Sequence, residues 1–302
     1  RALPKPVEQT VLVMPHQRVP DIIVMAAIGG LLGAKIFHNL ENWGDFVRDP
    51  VGALLSFSGL TFYGGLIVAA IGIIGDARKK QFNSRALIDS AAPALMLAYA
   101  IGRMGCHFAG DGDWGIYNSA YAIDASSGHA VKMAPAAFND VVQKNITFFQ
   151  QQYNNLDQIP HAAFEKPAAL GFLPDWFFAT GYAHNVIKEG VQMPGCDGQY
   201  CKVLPIGVYP TPLYEIITCL ILFFVLWGIR KKVRVPGVIF GIYLILNGIE
   251  RVFIEKIRVD TRYDIFGFHP TQAEIISTLL VIGGIILIGY YRKNNTAANK
   301  LS

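Results

Sequence analysis

Long apolar runs, separated by short polar stretches, restrict the folds that this chain can adopt. A helix needs about 20 apolar residues to cross a hydrocarbon core roughly 30 Å thick. In lipid, each backbone polar group has to be paired within the spanning element. We therefore expect transmembrane helices at six runs of 17 to 25 residues, which are residues 22–40, 51–75, 86–108, 213–229, 237–254 and 273–291.

The composition agrees with a membrane protein that also carries one large polar segment. Of 302 residues, 52% are hydrophobic and 16% are charged, whereas soluble domains average about 45–50% and 25%. The difference is moderate because residues 109–212 are more polar than the rest. The net charge of +4 does not favour nucleic acid as a partner, since the basic residues lie in short loops.

The short loops predict the orientation of the chain. Residues 76–85 and 230–234 are basic, as is the tail after residue 291, whereas residues 41–50 contain three acids and one arginine. Basic loops stay on the cytoplasmic side. If each run crosses once, both ends of the chain are cytoplasmic, and residues 109–212 and 255–272 lie outside.

The outer segment is expected to fold into a small head. It contains aromatic residues and prolines, and residues 137–156 have the pattern of an amphipathic helix. Cys196 and Cys201 form a single C-x4-C pair, which outside the cytoplasm favours a disulfide, with two free thiols as the alternative. A zinc site would need a second pair. The expected division is membrane helices in 1–115, a periplasmic head in 116–209, membrane helices in 210–292 and a tail in 293–302.

Charged and polar residues collect at one depth, at the outer ends of three runs. Arginine suits phosphate because its planar fork binds two oxygens at once, and the phosphate at that depth belongs to a phospholipid headgroup. The alternative is structural, with Arg251 and Glu255 as a satisfied pair and Arg103 reaching the interface. The residues are Arg103, His107, Asp111, Asp113, Tyr214, Glu215, Arg251, Glu255 and Arg258.

Asp89 lies near the other end of the third run, away from this group. We expect it to have a structural role there.

Several short motifs follow one another along the chain. They are Gly33-Ala34-Lys35, Ser58-Gly59-Leu60-Thr61-Phe62-Tyr63-Gly64-Gly65, Asp89, Ala92-Pro93, Gly102-Arg103-Met104-Gly105-Cys106, Gly110-Asp111-Gly112-Asp113-Trp114-Gly115, Pro210-Thr211-Pro212-Leu213-Tyr214-Glu215, Arg251-Val252-Phe253-Ile254-Glu255-Lys256-Ile257-Arg258 and Gln272. In these motifs the chain resembles the bacterial prolipoprotein diacylglyceryl transferases.

The resemblance implies a multi-pass, all-α enzyme of the bacterial inner membrane. Such an enzyme transfers the diacylglyceryl group of phosphatidylglycerol to the lipobox cysteine of a prolipoprotein at the outer leaflet, without a metal or an organic cofactor. The implied partners are phosphatidylglycerol, the prolipoprotein signal peptide and the membrane, with the head as a surface for a protein partner. The family normally has seven spans, so its first span is expected to be missing here.

The resemblance also implies roles for individual residues. Arg103, Arg251 and Glu255 would be catalytic. Phosphatidylglycerol would be bound by Arg103, Cys106, Gly115, Tyr214, Glu215, Arg251 and Arg258.

Two departures from the family pattern concern the proton acceptor. Tyr63 stands where the family has a histidine that is a proposed general base, and a phenol with a pKa of about 10 is a poor base. Cys106 stands where the family has asparagine. His107, directly beside Cys106, is either the replacement base or a hydrogen-bonding strut.

Two other functions remain as hypotheses. The substitution at Tyr63 favours a non-catalytic descendant that binds lipid or acts as a scaffold. A transporter of small anions or lipids would instead need charges along a path through the bilayer, and here they gather at one face.

Overall fold

The structure is a computed structural model that describes residues 15–56, 61–258 and 270–301. The chain divides into two compact units, residues 1–87 and 88–302, and each is described by itself below.

The chain is mostly helical. The α-helices of the described residues are α1 (Val19–Glu41), α2 (Trp43–Arg48), α3 (Pro50–Leu55), α4 (Phe62–Lys79), α5 (Ser84–Ala109), α6 (Phe138–Lys144), α7 (Ile146–Gln152), α8 (Thr211–Ile229), α9 (Val238–Glu255) and α10 (Gln272–Leu301). Three helical stretches are long and apolar enough to cross a membrane, namely Val19–Glu41, Thr211–Ile229 and Gln272–Asn295. They coincide with the first, fourth and sixth apolar runs.

In the first unit, α1 packs closely against α4. At their crossing, a Cβ atom on Gly33 would collide with the carbonyl oxygen of Gly64, and a Cβ on Gly64 would collide with that of Gly33. Small residues allow two helices in a membrane to approach this closely. Large apolar side chains on the outer face of α1, among them Ile23 and Leu31, are exposed, as expected for a surface that faces lipid.

The prediction of one continuous helix over residues 51–75 is wrong. Helix α3 ends at Leu55, Ser56 is extended, and α4 begins at Phe62. The carbonyl oxygen of Ser56 accepts a hydrogen bond from Nζ of buried Lys35 at 2.8 Å, so it has a side-chain partner from α1. The predicted motif residues Ser58, Gly59 and Leu60 lie outside the described residues.

In the second unit, α5, α8 and α9 enclose an apolar core. Ala92, Met96 and Ala100 of α5 pack with Cys219 and Leu226 of α8. Helix α9 packs against α10 along its length.

Asp89 fastens the beginning of α9. Its carboxylate oxygens accept hydrogen bonds from the backbone N–H groups of Gly237 at 2.7 Å and Phe240 at 2.8 Å. These N–H groups have no intrahelical partner at the start of a helix. The buried acid therefore acts as a helix cap supplied from another helix.

Residues 117–208 form a mixed α/β head, which corrects the all-α assignment for this segment. The strands are β1 (Tyr117–Ile123), β2 (Ala130–Lys132), β3 (His161–Ala162), β4 (Val191–Gln192), β5 (Lys202–Val203) and β6 (Ile206–Val208). Strand β1 pairs antiparallel with β2 and β6 and parallel with β3, while β4 and β5 form a separate antiparallel pair. Cys196 lies between β4 and β5, and Cys201 directly precedes β5. The two form a disulfide with a Cα–Cα distance of 5.5 Å.

The single helix predicted over residues 137–156 is also wrong, because the chain breaks at Asn145 into α6 and α7. The Asn145 side chain donates to the carbonyl oxygen of Val141 at 2.8 Å, which is the kind of local side-chain bond that competes with helix continuation. Phe138, Val142 and Phe149 nevertheless lie buried in the core of the head.

We predict that Asp89→Ala destabilises the protein by about 1–2 kcal/mol, because two N–H groups lose their cap. Asp89→Asn, which keeps one acceptor oxygen, should be intermediate. Thermal unfolding in detergent measures both. Asp45→Ala, at an exposed position of α2, is the control, and an Asp89→Ala protein that melts with the wild type would contradict the capping role.

Candidate functional site

Three helix ends of the second unit bring charged side chains together. Arg103 lies near the end of α5, Glu215 lies in the second turn of α8, and Arg251 and Glu255 lie one turn apart at the end of α9. Residues four apart share one face of a helix. Arg251 and Glu255 therefore lie on one face of α9, and the ion pairs of Glu215 with Arg103 and Arg251 show that the three helix ends converge.

Glu215 is the centre of this arrangement. Its side chain is fully buried, and its two oxygens pair with Nε of Arg103 and with Nη1 of Arg251, the latter at 3.1 Å. Nη2 of Arg251 pairs in turn with Glu255 at 3.2 Å. The resemblance implied that Glu215 binds phosphatidylglycerol; the structure places its carboxylate between the two arginines.

Asp113 joins the loop after α5 to the same cluster. Its carboxylate pairs with Nη1 of Arg103 and with Nη2 of Arg258, the latter at 2.7 Å. Burial raises the pKa of Asp113, but Arg258 and Arg103 lower it by more, so the net shift is downward. The acid therefore remains ionised at neutral pH.

Thr211 fixes the backbone of this loop. Its fully buried hydroxyl donates to the carbonyl oxygen of Asp113 at 2.6 Å. Sequence reasoning did not assign Thr211 a role, although it is the hydroxyl residue of the Pro210-Thr211-Pro212 motif.

Gly115 allows the loop to pass close to the end of α9. A Cβ atom here would lie 2.5 Å from the carbonyl oxygen of Ile257, and the neighbouring N–H of Ile116 donates to that oxygen at 2.9 Å. Gly115 also forms a β-bridge with Arg258. This close approach places Arg258 beside Asp113.

Two other predicted binding residues have peripheral contacts. The hydroxyl of Tyr214 donates to the carbonyl oxygen of Phe177 at 2.8 Å, which ties α8 to the head. Sγ of Cys106, a free thiol, lies 3.8 Å from Nη1 of Arg103.

His107 lies beside the head. Its Nδ1 is 3.2 Å from the hydroxyl of Tyr182, and Tyr182 stacks on Trp114 with 4.9 Å between ring centroids. Burial, followed by nearby Asp111, raises the pKa of Tyr182, so its phenol stays neutral. When Nδ1 of His107 donates in this bond, Nε2 is left as a proton acceptor.

Tyr63 belongs to the first unit, near the beginning of α4. Its side chain is not among those that the structure describes.

A metal ion does not suit the acidic part of the site. Among the described residues, Cys106, Asp111 and Asp113 have ligand atoms within 4.8 Å of one another. Asp113, however, is paired with two arginines, whose positive charges oppose a cation at this position.

Glu250 is a buried acid that sequence reasoning missed. It is only 4% exposed, and neither of its carboxylate oxygens has a hydrogen-bond partner among residues 15–56, 61–258 and 270–301. Since an ionised carboxylate without hydrogen bonds is strongly disfavoured in the interior, the neutral acid is the favoured form. The signal was present in the sequence as an acid within an apolar run, directly before Arg251.

Glu215 and Glu250 should therefore respond differently to the same substitution. Glu215→Gln leaves two arginines without their shared counter-charge, and we expect a loss of about 3–5 kcal/mol in unfolding free energy. Glu250→Gln replaces one neutral group by another of the same shape, and we expect a change below about 1 kcal/mol. Denaturation in detergent tests this, and an equal loss in both variants would show that Glu250 is a charged member of the cluster.

The comparison with known proteins gives one consistent answer. The family model described as prolipoprotein diacylglyceryl transferase matches residues 6–290.

Three relatives are named phosphatidylglycerol–prolipoprotein diacylglyceryl transferase. That of Dehalococcoides mccartyi is 26% identical over 284 residues, covering 93% of this chain and 81% of the relative. That of Staphylococcus haemolyticus is 25% identical, covering 91% and 73%, and that of Streptococcus agalactiae is 28% identical, covering 90% and 79%. The resemblance found in the motifs is thus confirmed over nearly the whole length, and the chain belongs to the prolipoprotein diacylglyceryl transferase family.

Proposed function

We propose that this protein transfers the diacylglyceryl group of phosphatidylglycerol to the lipobox cysteine of prolipoproteins, a step of lipoprotein maturation. The observation that carries the proposal is the pair of arginines, Arg103 and Arg251, held in place by one buried carboxylate, Glu215. The names of the relatives specify the two substrates for those proteins.

The reaction exchanges one bond for another. The cysteine sulfur attacks the terminal glyceryl carbon of the diacylglyceryl group, a C–S bond forms, and the bond between that carbon and the phosphate oxygen breaks with its electron pair going to oxygen. The products are a thioether and glycerol phosphate. The thiol proton passes to a base and balances the charge that the phosphate gains.

The arginines would stabilise the leaving phosphate. Negative charge on its oxygens grows as the C–O bond breaks, and fixed positive groups aimed at that charge lower the barrier. In this proposal Arg103 and Arg251 contact the phosphate, and Arg258 supports it from the side of Asp113.

The acids would position the arginines. Glu215 and Glu255 hold the guanidinium of Arg251 from two sides, so the group does not have to be ordered when the substrate arrives. Gly115 and Thr211 hold the Asp113 loop, Cys106 lies at the edge of the Arg103 side chain, and Tyr214 anchors the head to α8.

We assign proton removal to His107 in preference to Tyr63. Imidazole, with an ordinary pKa near 6.5, accepts a proton at neutral pH, whereas phenol has an ordinary pKa near 10. The hydrogen bond to Tyr182 selects the ring orientation and, with Nδ1 as donor, leaves Nε2 for the thiol.

The proposed setting is the bacterial inner membrane. We infer six spans, with α4, α5 and α9 added to the three most apolar helices, the head and the 255–272 loop in the periplasm, and both ends of this chain in the cytoplasm. This orientation follows from the basic loops at residues 76–85 and 230–234. The reaction then occurs at the outer leaflet, and the 116–209 head offers a surface to a protein partner.

The two rival functions receive less support. The three relatives are named as transferases, which does not favour a non-catalytic lipid binder. Arg103, Arg251 and Arg258 share one cluster and do not trace a path through the bilayer, which does not favour a transporter.

We predict that Arg103→Ala and Arg251→Ala each reduce transfer at least about 100-fold, the size of effect seen when one oxyanion-stabilising donor is lost. Transfer of labelled diacylglyceryl from phosphatidylglycerol to a lipobox peptide in membranes is the assay. Arg48→Ala, an exposed arginine of the first unit, is the matched control, and unfolding in detergent checks that each variant is folded. Full activity in both folded variants would refute the phosphate role.

A second comparison tests the base. His107→Gln should lower transfer about 100-fold or more, the usual range for a lost general base, whereas Tyr63→Phe should lower it only a few-fold. His129→Gln, in an exposed turn of the head, is the control. The reverse order of the first two effects would assign the base role to Tyr63.

A further inference from the structure

A polar cavity of about 200 Å³ lies in the second unit, where the head meets the arginine cluster. Its lining includes Arg258, Trp114 and four residues of the head, which are Tyr117, Gln152, Tyr153 and Glu189. The reaction as proposed above assigns no role to these head residues.

Arg258 belongs both to the cluster and to the cavity. It pairs with Asp113 at 2.7 Å, its side chain is 10% exposed, and it forms part of the cavity wall. A phosphate bound at the arginines therefore has the cavity as its neighbour on the side of the head.

Glu189 is held firmly at the cavity wall. Buried Asn185 accepts a hydrogen bond from the Glu189 N–H and donates one to the Glu189 carbonyl oxygen, both at 2.8 Å. The carboxylate of Glu189 has no hydrogen-bond partner among the described residues of the chain. Burial raises the pKa of this acid.

Tyr153 and Tyr117 lie next to this acid. Their rings pack edge to face with 6.4 Å between centroids, and both line the same cavity as Glu189. The cavity thus offers a carboxyl group, two tyrosines and the Gln152 amide within a small volume, and Arg258 lines the edge that faces the cluster.

We propose that this cavity binds the terminal glycerol of phosphatidylglycerol and selects for its two adjacent hydroxyl groups; the inference rests on the proposed function. Glu189 accepts hydrogen bonds from the hydroxyls, and Tyr153 and Gln152 complete the polar wall. The size agrees, since a cavity of about 150 Å³ can hold benzene, and glycerol has the same number of heavy atoms.

The cavity supplies selectivity that the arginines alone do not. A guanidinium binds the phosphodiester of any phospholipid, whereas a site built to hydrogen-bond a hydroxyl rejects an analogue that lacks it, because its own polar groups are then left unpaired. The rejected analogue here is a phospholipid with a propanol headgroup, which has the same charge and carbon skeleton.

The test compares kcat/KM for phosphatidylglycerol and phosphatidylpropanol in the transfer assay. The wild type should prefer phosphatidylglycerol at least about tenfold. Glu189→Ala should lose this preference by reducing use of phosphatidylglycerol alone, with Glu189→Gln intermediate. Glu165→Ala, an exposed acid elsewhere in the head, should keep it.

Binding provides a readout that does not depend on transfer. Short-chain phosphatidylglycerol should raise the melting temperature of the wild type more than short-chain phosphatidylpropanol does, and Glu189→Ala should remove the difference. A wild type that binds and uses both lipids equally would overturn the headgroup inference alone. If the lipids bind with the expected difference but no label reaches the peptide, the proposed function fails while the cavity assignment stands. An equal loss of both lipids in folded Glu189→Ala would also overturn the selective role.

Discussion

The pairing of one buried carboxylate with two arginines is the interaction on which the site depends. Glu215 is inaccessible to solvent and pairs with Arg103 of α5 and Arg251 of α9. Taking three charges out of water is costly. Removing one member of such a group usually destabilises the protein more than replacing the whole group by apolar residues does. The charges therefore fix how the ends of three helices meet, and the same charges are left facing the proposed substrate.

The cluster is close to electrical neutrality before a phosphate enters. Arg103, Arg251 and Arg258 are balanced by Asp113, Glu215 and Glu255, while Glu250 favours its neutral form. An isolated set of three arginines at this depth would repel one another and distort the helix ends. The acids thus allow three arginines to be buried together. In the proposed reaction, the phosphate competes with these carboxylates for guanidinium groups that are already oriented.

Sequence reasoning found the components of this site and one of its ion pairs, Arg251 with Glu255, but not the other pairings. Their common depth predicted that Arg103, Glu215 and Arg251 would meet, because charged side chains in apolar helices face the protein interior and pair with one another. It did not predict that Asp113 would pair with Arg258, since these residues are 145 positions apart and their contact depends on how the loop passes Ile257.

The errors in the fold predicted from the sequence have local causes. The break at Ser56 lies within a run whose mean hydropathy stays high despite three hydroxyl residues, Ser56, Ser58 and Thr61. Hydropathy contains no information about the hydrogen bond from Lys35 to the Ser56 carbonyl oxygen. The break at Asn145 arises from a side chain that bonds its own backbone. Strand β1 carries buried Asn118 and Ser119, so it lacks the apolar alternation that marks a strand. The requirement to span a membrane predicted most of the long helices. The fold of the head, which contains the proposed site for the glycerol headgroup, depends on tertiary contacts that hydrophobic periodicity does not reveal.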